Sequence, residues 1–474
     1  MSIIQNFKYS LSSKFIIVFL SFFLNLLIVR FLPVSDYAIY VLILSIVLFV
    51  SALSHFGFAS SIQFFLSENR SNIIKSKKIF GTGVSVISIF IIIYMFVMFL
   101  LSPYLSNMYG IPLYFFIFAS IFIPIRSIFG IIIASLLAMN KIKALSITNT
   151  IYTLSRFSVI LCILLGLGSF GALIAELFVH LLSIFIGLFI LREIINFSFN
   201  EQVFKNLFSF SKKVVLGESF NSFLSPIFEF ALGLFSLSSL AFFAAPLKIN
   251  HFFLIAWEVV YMVFFPIFVS NRHNLKKIRN YIFLIFRFSL IVLGFCFVNI
   301  LLFSKDILFF VLGDKYLDSS SIFVLQSIAM IINFFFSLLL MLFITSKKPI
   351  YSTYSIIFKT VVTIISLMFF IPVFLEFGAA FSFILSVSVG NLLTYYYSKK
   401  FFGWKFPFRT FLKCVMSGLL VFVLVKIVLS MFNFGVLSLF VGGFVSLSYF
   451  VFLFLLKEFG KSDLIILKKI VFNK

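Results

Sequence analysis

Charge is scarce in this chain. Of its 474 residues only 11% are Asp, Glu, Lys or Arg while 63% are hydrophobic, a balance that excludes a water-soluble domain, whose surface needs about a quarter of its residues charged. Cysteine is scarcer still: Cys162, Cys296 and Cys414 lie far apart with no paired spacing, which excludes a disulfide framework or a cysteine metal site. The four histidines, His55, His180, His251 and His273, form no ligand cluster. There is also no nucleophile with its base, no carboxylate pair at metal spacing and no glycine-rich phosphate loop followed by Lys and Ser/Thr. We therefore expect no metal, no cofactor and no enzymatic activity.

What is abundant is apolar length. Stretches of about 20 apolar residues, enough to cross a hydrocarbon core of roughly 30 Å as helix, recur with short polar breaks. They place fourteen spans at 13–32, 38–57, 80–102, 113–137, 147–167, 170–192, 213–235, 240–269, 281–303, 320–344, 350–374, 378–397, 411–430 and 434–456. The ten-residue alternation of a membrane β-barrel is absent. The fold class expected is all-α, a polytopic membrane protein. The first apolar run has no small-residue cleavage site and meets a second span at once, so it reads as a retained helix.

Acidic residues number 14 against 37 basic ones, a net charge of +23, and the distribution explains the excess. With the N-terminus inside, 28 Lys/Arg fall on the cytoplasmic side, among them Arg70, Lys75, Lys77, Lys78, Arg272, Lys276, Lys277, Arg279, Lys399 and Lys400; the external loops hold only Lys305 and Lys315. That is the positive-inside pattern, with both termini cytoplasmic. The basic charge is topological, and nucleic acid is set aside as a partner.

The chain also repeats itself. "SFGALIAE" from Ser169 returns as "EFGAAFSF" from Glu376, so Phe170-Gly171-Ala172 recurs as Phe377-Gly378-Ala379, 207 residues later. "NKIKALS" at 140–146 has its counterpart in "SKKPIYS" at 346–352, with Lys141 and Lys347 206 residues apart, and "SDYAIY" from Ser35 corresponds more weakly to "SSLAFF" from Ser238. Matches in order at nearly one offset suggest a duplication. Because the offset covers six spans, both copies enter the membrane in the same direction, an arrangement of parallel lobes with a substrate site between them. The expected division is a first six-helix lobe, 1–192, a cytoplasmic linker, 193–210, a second lobe, 211–400, and two further helices with a tail, 401–474. The tail "KEFGKSDLIILKKIVFNK" reads as a short amphipathic segment at the inner surface.

Seven cations nevertheless lie within spans: Arg30, Arg126, Arg156, Lys248, Arg287, Lys359 and Lys426; the acids there are Glu176, Glu218, Glu229 and Glu258. Arg126 and Arg156 lie near mid-depth, where an arginine costs about 2.5–3.5 kcal/mol on insertion scales, so each needs a counter-ion or a wet cavity. Pairing with Glu176 is the structural alternative, but one acid cannot neutralise Arg30, Arg126 and Arg156 together. Surplus cations suit an anion, and arginine's planar fork suits phosphate oxygens. Lys248 follows Pro246, and Glu229 follows Pro226. Either these two pair to staple the hairpin of spans 7 and 8, or Lys248 joins the substrate site. Lys426 reads as snorkelling to the surface. Arg287 and Lys359 lie in the inner thirds of their spans as inward-side candidates, and Arg30, near the outer surface, either snorkels or belongs to the exit side. Glu176, Glu229 and Glu258 are the candidates for coupling to an ion gradient.

In order and spacing, "VRFLPVSDYAIYVL", "ALSHFGFASSIQFFLSE", "LLAMNKIKALSITNTIYTLSRF", "SLSSLAFFAAPLKI", "VLGDKYLDSS" and "EFGAAFSF" resemble one family. It is the polysaccharide (Wzx-type) flippases of the multidrug/oligosaccharidyl-lipid/polysaccharide exporter superfamily. The departures are Ala38, where that family often has Gly, and Phe in "SLAFFAAPLKI" where Tyr is common. The resemblance implies translocation of an undecaprenyl-pyrophosphate-linked oligosaccharide, such as an O-antigen or capsule repeat unit, from the cytoplasmic to the periplasmic leaflet of a bacterial inner membrane. A polysaccharide polymerase and a chain-length regulator are the protein partners it implies. A lipid II-type flippase stays open as an alternative, a multidrug efflux antiporter fits the basic interior less well, and a polymerase would need a larger external loop than any here.

Overall fold

In a computed structural model of the chain, the described residues are 3–196, 198–224, 226–271, 274–346, 348–431 and 438–459. They form eighteen α-helices and one short 3-10 turn, Asp314–Ser319, and no strand. The expected all-α architecture is what is found. In chain order the helices are α1 (Ile3–Phe31), α2 (Val34–Ser54), α3 (Phe58–Asn69), α4 (Ile73–Tyr109), α5 (Leu113–Ala138), α6 (Ile142–Ser155), α7 (Phe157–Leu164), α8 (Gly168–Leu191) and α9 (Glu201–Leu224). There follow α10 (Pro226–Phe235), α11 (Leu237–Ser270), α12 (Leu275–Leu312), α13 (Ser320–Thr345), α14 (Pro349–Ser388), α15 (Leu392–Phe402), α16 (Phe408–Met431), α17 (Ser438–Ser446) and α18 (Ser448–Leu455).

Ten described helical segments are long and apolar enough to cross a membrane, and Ile17–Phe31, Pro226–Phe235 and Val441–Leu455 are shorter apolar helices. Expected spans 11 and 12 fall in α14, which turns back on itself at Leu375 (φ 48°, ψ −123°) just after Pro372. The amphipathic tail beyond Phe459, Lys347, Arg272 and His273 lie outside the described residues.

Two helices occupy stretches read as polar connections. Both α3 and the first half of α9 carry apolar residues at helical spacing, and these bury against each other and against α4 and α5. Phe58, Ile62, Leu66, Phe80, Ile87, Ile131, Leu136 and Leu207 form one buried cluster there. Short apolar stripes of this kind are read less easily than a 20-residue run. Small residues bring the backbones together: the Ser61 and Ser211 hydroxyls are 2.8 Å apart, and a Cβ on Gly57 would stand 2.9 Å from the Ser211 carbonyl oxygen.

Local geometry recurs at offsets of 202 and 207 residues. Asn72 caps α4 by accepting from the Lys75 amide at 3.0 Å, and Asn274 caps α12 by accepting from the Lys277 amide at 3.0 Å, each filling one of the donors a helix start leaves unpaired. The ends of α5 and α13, helices of 26 residues each, close alike, the Lys141 amide donating to the Leu136 carbonyl at 3.1 Å and the Lys348 amide to the Phe343 carbonyl at 2.8 Å. Gly168 (φ 58°) and Leu375 (φ 48°), 207 residues apart, both adopt a left-handed backbone before the repeated Phe-Gly-Ala.

By packing, the chain forms two compact units, 1–252 with 356–386 and 253–355 with 387–474. In the first, α5 is central and touches α2, α3, α4, α6 and α8. In the second, α12 packs on α13, α16 and α17. This unit holds a cavity of about 760 Å³ whose lining, including Leu290, Phe297, Ile331, Val415, Leu419 and Phe422, is apolar throughout. Nothing there could satisfy a charged group.

Candidate functional site

The polar interior lies in the first unit. A cavity of about 210 Å³ is bounded by α1, α2, α5, α8, α11 and the junction of α6 with α7, and its lining includes Asn25, Tyr40, Arg126, Tyr152, Arg156, Glu176, His180 and Lys248. Three of the six cations expected to meet substrate, Arg126, Arg156 and Lys248, therefore converge on one space. Their sequence positions place them on α5, on the α6–α7 junction and on α11, each within an expected span. The helix breaks at Arg156 itself, and at membrane depth such irregular backbone is tolerated only where it lines a cavity or is buried in protein.

Arg156 is held by Glu176. Its Nε donates to Glu176 Oε1 at 2.8 Å and an η nitrogen lies 2.7 Å from the same oxygen, both side chains being almost wholly buried. The guanidinium also donates to Asn25 Oδ1 at 3.2 Å, and the Tyr40 hydroxyl donates to Glu176 Oε1 at 2.9 Å. One turn beyond Glu176, His180 Nδ1 lies 2.7 Å from the Glu176 carbonyl oxygen, with its ring edge-on to Phe122, Phe129 and Tyr152. Four helical segments are thus tied through one carboxylate, and the charge of Arg156 is matched within the protein.

The cavity's other two cations are not matched in this way. Arg126 packs its guanidinium over the Phe129 ring, 5.5 Å from the centroid, and among the described residues no hydrogen bond or ion pair is found for it or for Lys248. The lining holds three cations against one carboxylate, and the buried Glu229, outside the lining, is an electrostatic partner of Lys248; Arg126 is left with no carboxylate of its own. Pro124, two residues before Arg126 within α5, removes a backbone donor and loosens the helix beside it.

The remaining candidates lie elsewhere. Arg30 is exposed in the last turn of α1, and Lys359, on α14, is not one of the residues lining the cavity. Arg287, in the second unit, donates to Glu458 Oε1 at 2.7 Å and to the Glu458 carbonyl oxygen, while Lys413 lies 3.1 Å from Glu458 Oε2 and Thr410 donates to Oε1 at 2.7 Å. Burial raises the Glu458 carboxyl, but the hydrogen bonds from Arg287, Thr410 and Lys413 outweigh it and hold the group below its ordinary range. Glu258 is exposed on α11, and Glu218 accepts from Ser60. Glu229 is buried beside Phe228, and its Oε2 has no hydrogen-bond partner among the described residues.

The offsets of the sequence repeat pair this cluster with residues of opposite chemistry. Asn25 and Tyr40 correspond, 203 residues on, to Phe228 and Phe243, and Glu176 corresponds, 207 on, to Phe383. These three rings pack on one another in the first unit, Phe228 stacked on Phe243 and edge-on to Phe383, each at 5.5 Å between centroids. Hydrogen bonds around a carboxylate in one copy are ring contacts in the other.

Residues 27–321 match the family model described as "Polysaccharide biosynthesis protein". No curated protein matches the chain. Among solved structures, "Lipid II flippase MurJ, inward closed conformation" is similar at a TM-score of 0.77 and 16% identity, covering 94% of this chain and 97% of its own. An inward-facing multidrug resistance MATE family transporter of the MOP superfamily follows at TM-score 0.65 and 12% identity, over 81% of this chain and 94% of its own. The Vibrio cholerae MATE transporter VcmN, as a point mutant, reaches 0.55 at 13% identity, over 84% and 98%. At these identities the likeness is one of fold.

Proposed function

The chain belongs to the polysaccharide biosynthesis protein family, and from that premise we propose that it is a flippase for an undecaprenyl-pyrophosphate-linked oligosaccharide. The substrate is an O-antigen, capsule or similar repeat unit, carried from the cytoplasmic to the periplasmic leaflet of the bacterial inner membrane. The observation that carries the reading is the cavity of the first unit, whose lining holds three cations against one carboxylate, with Glu229 outside it to offset Lys248 alone. In a low-dielectric interior such a surplus is costly until an anion shares the site. A pyrophosphate supplies that anion.

In this reading Arg126 and Lys248 meet the phosphate oxygens, while Arg156, fixed by Glu176, Tyr40 and Asn25, holds the frame in place. The prenyl tail stays in the bilayer. The parallel six-helix lobes of the duplicated sequence, 1–192 and 211–400, alternate access to the site, with both termini in the cytoplasm. Glu229, buried with an oxygen unsatisfied, is the candidate for ion coupling, and a polymerase and chain-length regulator receive the product.

A lipid II-type precursor is the second reading, favoured by the fold similarity to the lipid II flippase; it too carries a pyrophosphate. An efflux antiporter for organic cations is disfavoured by the sign of the cavity. The test is transbilayer movement of fluorescent polyprenyl-pyrophosphate oligosaccharide and of lipid II in proteoliposomes. Flipping of the oligosaccharide that falls at least tenfold in Arg126→Gln and Lys248→Gln is expected. Normal transport by both variants, or movement of lipid II alone, overturns the proposal.

A further inference from the structure

We infer that Lys248 makes the affinity of the site for its anion depend on state: it completes the cavity while the two lobes are seated together and leaves it, for Glu229, when they part toward the periplasm. This rests on the function and the lobes proposed above and concerns how the site lets go of what it has bound. Among the described residues, everything that bounds the cavity lies between Asn25 and His180 in the sequence, within the first lobe, except Lys248. Arg126, Arg156 and Glu176 therefore stay with the cavity whatever the second lobe does. Lys248 does not.

Lys248 also travels with its own counter-charge. Glu229 lies on α10 and Lys248 on α11. Phe228, next to Glu229, stacks on Phe243 of α11 and packs edge-on to Phe383 of α14, which ties these second-lobe helices into one block. Glu229 is buried outside the lining, and its Oε2 has no hydrogen-bond partner among the described residues. It is near enough to attract Lys248, while Arg156 repels it. With the cavity empty, both forces draw the ammonium out of it, and the low dielectric of the interior strengthens them. A phosphate in the cavity reverses the balance, because its oxygens offer Lys248 charge-assisted hydrogen bonds.

The seam that holds this block against the first lobe is visible on α10. The Phe49 ring of α2 lies 5.0 Å from that of Phe223 and 5.7 Å from that of Phe230. Gly233 allows the close approach: a Cβ there would stand 3.0 Å from a Tyr109 ring carbon and 3.3 Å from the Leu42 side chain. In the proposed topology α10 ends at the periplasmic face, so opening on that side breaks the seam and carries α11 and Lys248 away. A ligand shifts a conformational equilibrium only through its different affinities for the two states, and Lys248 supplies the difference. The state reached from the cytoplasm holds the anion with three cations, and the state open to the periplasm with two.

The experiment titrates inorganic pyrophosphate by calorimetry into the full, cysteine-free chain in nanodiscs, in two forms. In one the seam is held closed by cysteines at Phe49 and Phe230 joined with a short bifunctional thiol reagent; in the other it is wedged by Gly233→Leu, with Gly233→Ala as a milder wedge. The closed form is expected to bind at least about tenfold more tightly than the wedged one, the scale on which a buried charge contact is lost, and in Lys248→Gln the two forms should agree at the weaker value. Glu229→Gln should keep the closed-form affinity and slow flipping in proteoliposomes, because Lys248 then has no partner to return to. The swapped Glu229→Lys/Lys248→Glu protein should be as stable as the parent and bind no pyrophosphate. Equal affinities in the two forms, a difference that survives Lys248→Gln, or a swapped protein that binds like the parent, as a simple hairpin staple would, overturns the inference. State-dependent binding through Lys248 by a protein that flips no lipid supports it and overturns the flippase reading, whereas flipping with equal affinities does the reverse, so the two fail separately.

Discussion

Replacing Glu176 by Gln removes the counter-charge of Arg156 while keeping the shape of the side chain. At 2.7 Å, and with the two side chains 10% and 3% exposed, the pair is one in which losing a single partner leaves a charge buried and unmatched, a loss of about 3–5 kcal/mol. Arg156→Gln costs a similar amount by stranding Glu176 and freeing the Asn25 oxygen. The double variant strands no charge. Its cost is expected to fall short of the sum of the two single variants by about 2–3 kcal/mol, the upper end of the coupling between residues in direct contact. The assay is a double-mutant cycle on unfolding in bilayers, with flipping measured on the same four proteins. Recovery of flipping in the double variant marks Arg156 as a positioning residue. Additive destabilisation, or a Glu176→Gln protein as stable as the parent, refutes the argument.

Three further outcomes are expected. Leu375→Gly stabilises the protein and Gly168→Leu destabilises it, each by about 1–2 kcal/mol, the cost of a left-handed backbone to an L side chain; thermal unfolding of the two variants checks this. Because the Glu458 carboxyl lies below its ordinary range, its contribution is present above the unfolded-state value of about 4.3 and is lost as pH falls through the lower folded value. Stability measured down an acid series should show that loss in the parent and not in Glu458→Gln. Single cysteines replacing Lys78 and Lys315 in a cysteine-free chain should react with an impermeant maleimide from the cytoplasmic and periplasmic faces respectively, and the reverse pattern refutes the topology.

The arginines betrayed the site in the sequence because a cation in an apolar run is conspicuous; their partners did not. Asn25, Tyr40, Tyr152 and His180 are unremarkable within their spans, and only the packing of α1, α2, α6 and α8 makes them a ring around Glu176. That Glu176 is the one acid in the first lobe's membrane region was the available signal, and it pointed to Arg156, the arginine it holds. The pairing of Arg287 was hidden for a related reason. Its partner Glu458 lies 171 residues away and beyond the last expected span, so no local spacing could pair them. The long helices were legible because membrane-spanning segments must be continuous and apolar; α3 and the start of α9 were not, because each buries only one stripe and depends on the other for cover.

The three packed phenylalanines at the positions offset from Asn25, Tyr40 and Glu176 bear on stoichiometry. Two equivalent copies would give two charged pockets per chain and room for two head groups in one cycle. With Phe228, Phe243 and Phe383 packed together, a phenylalanine stands at the position offset from Glu176 and Thr363 at that offset from Arg156. One chain should then carry one lipid-linked substrate per turnover, and a calorimetric pyrophosphate titration should end near one equivalent.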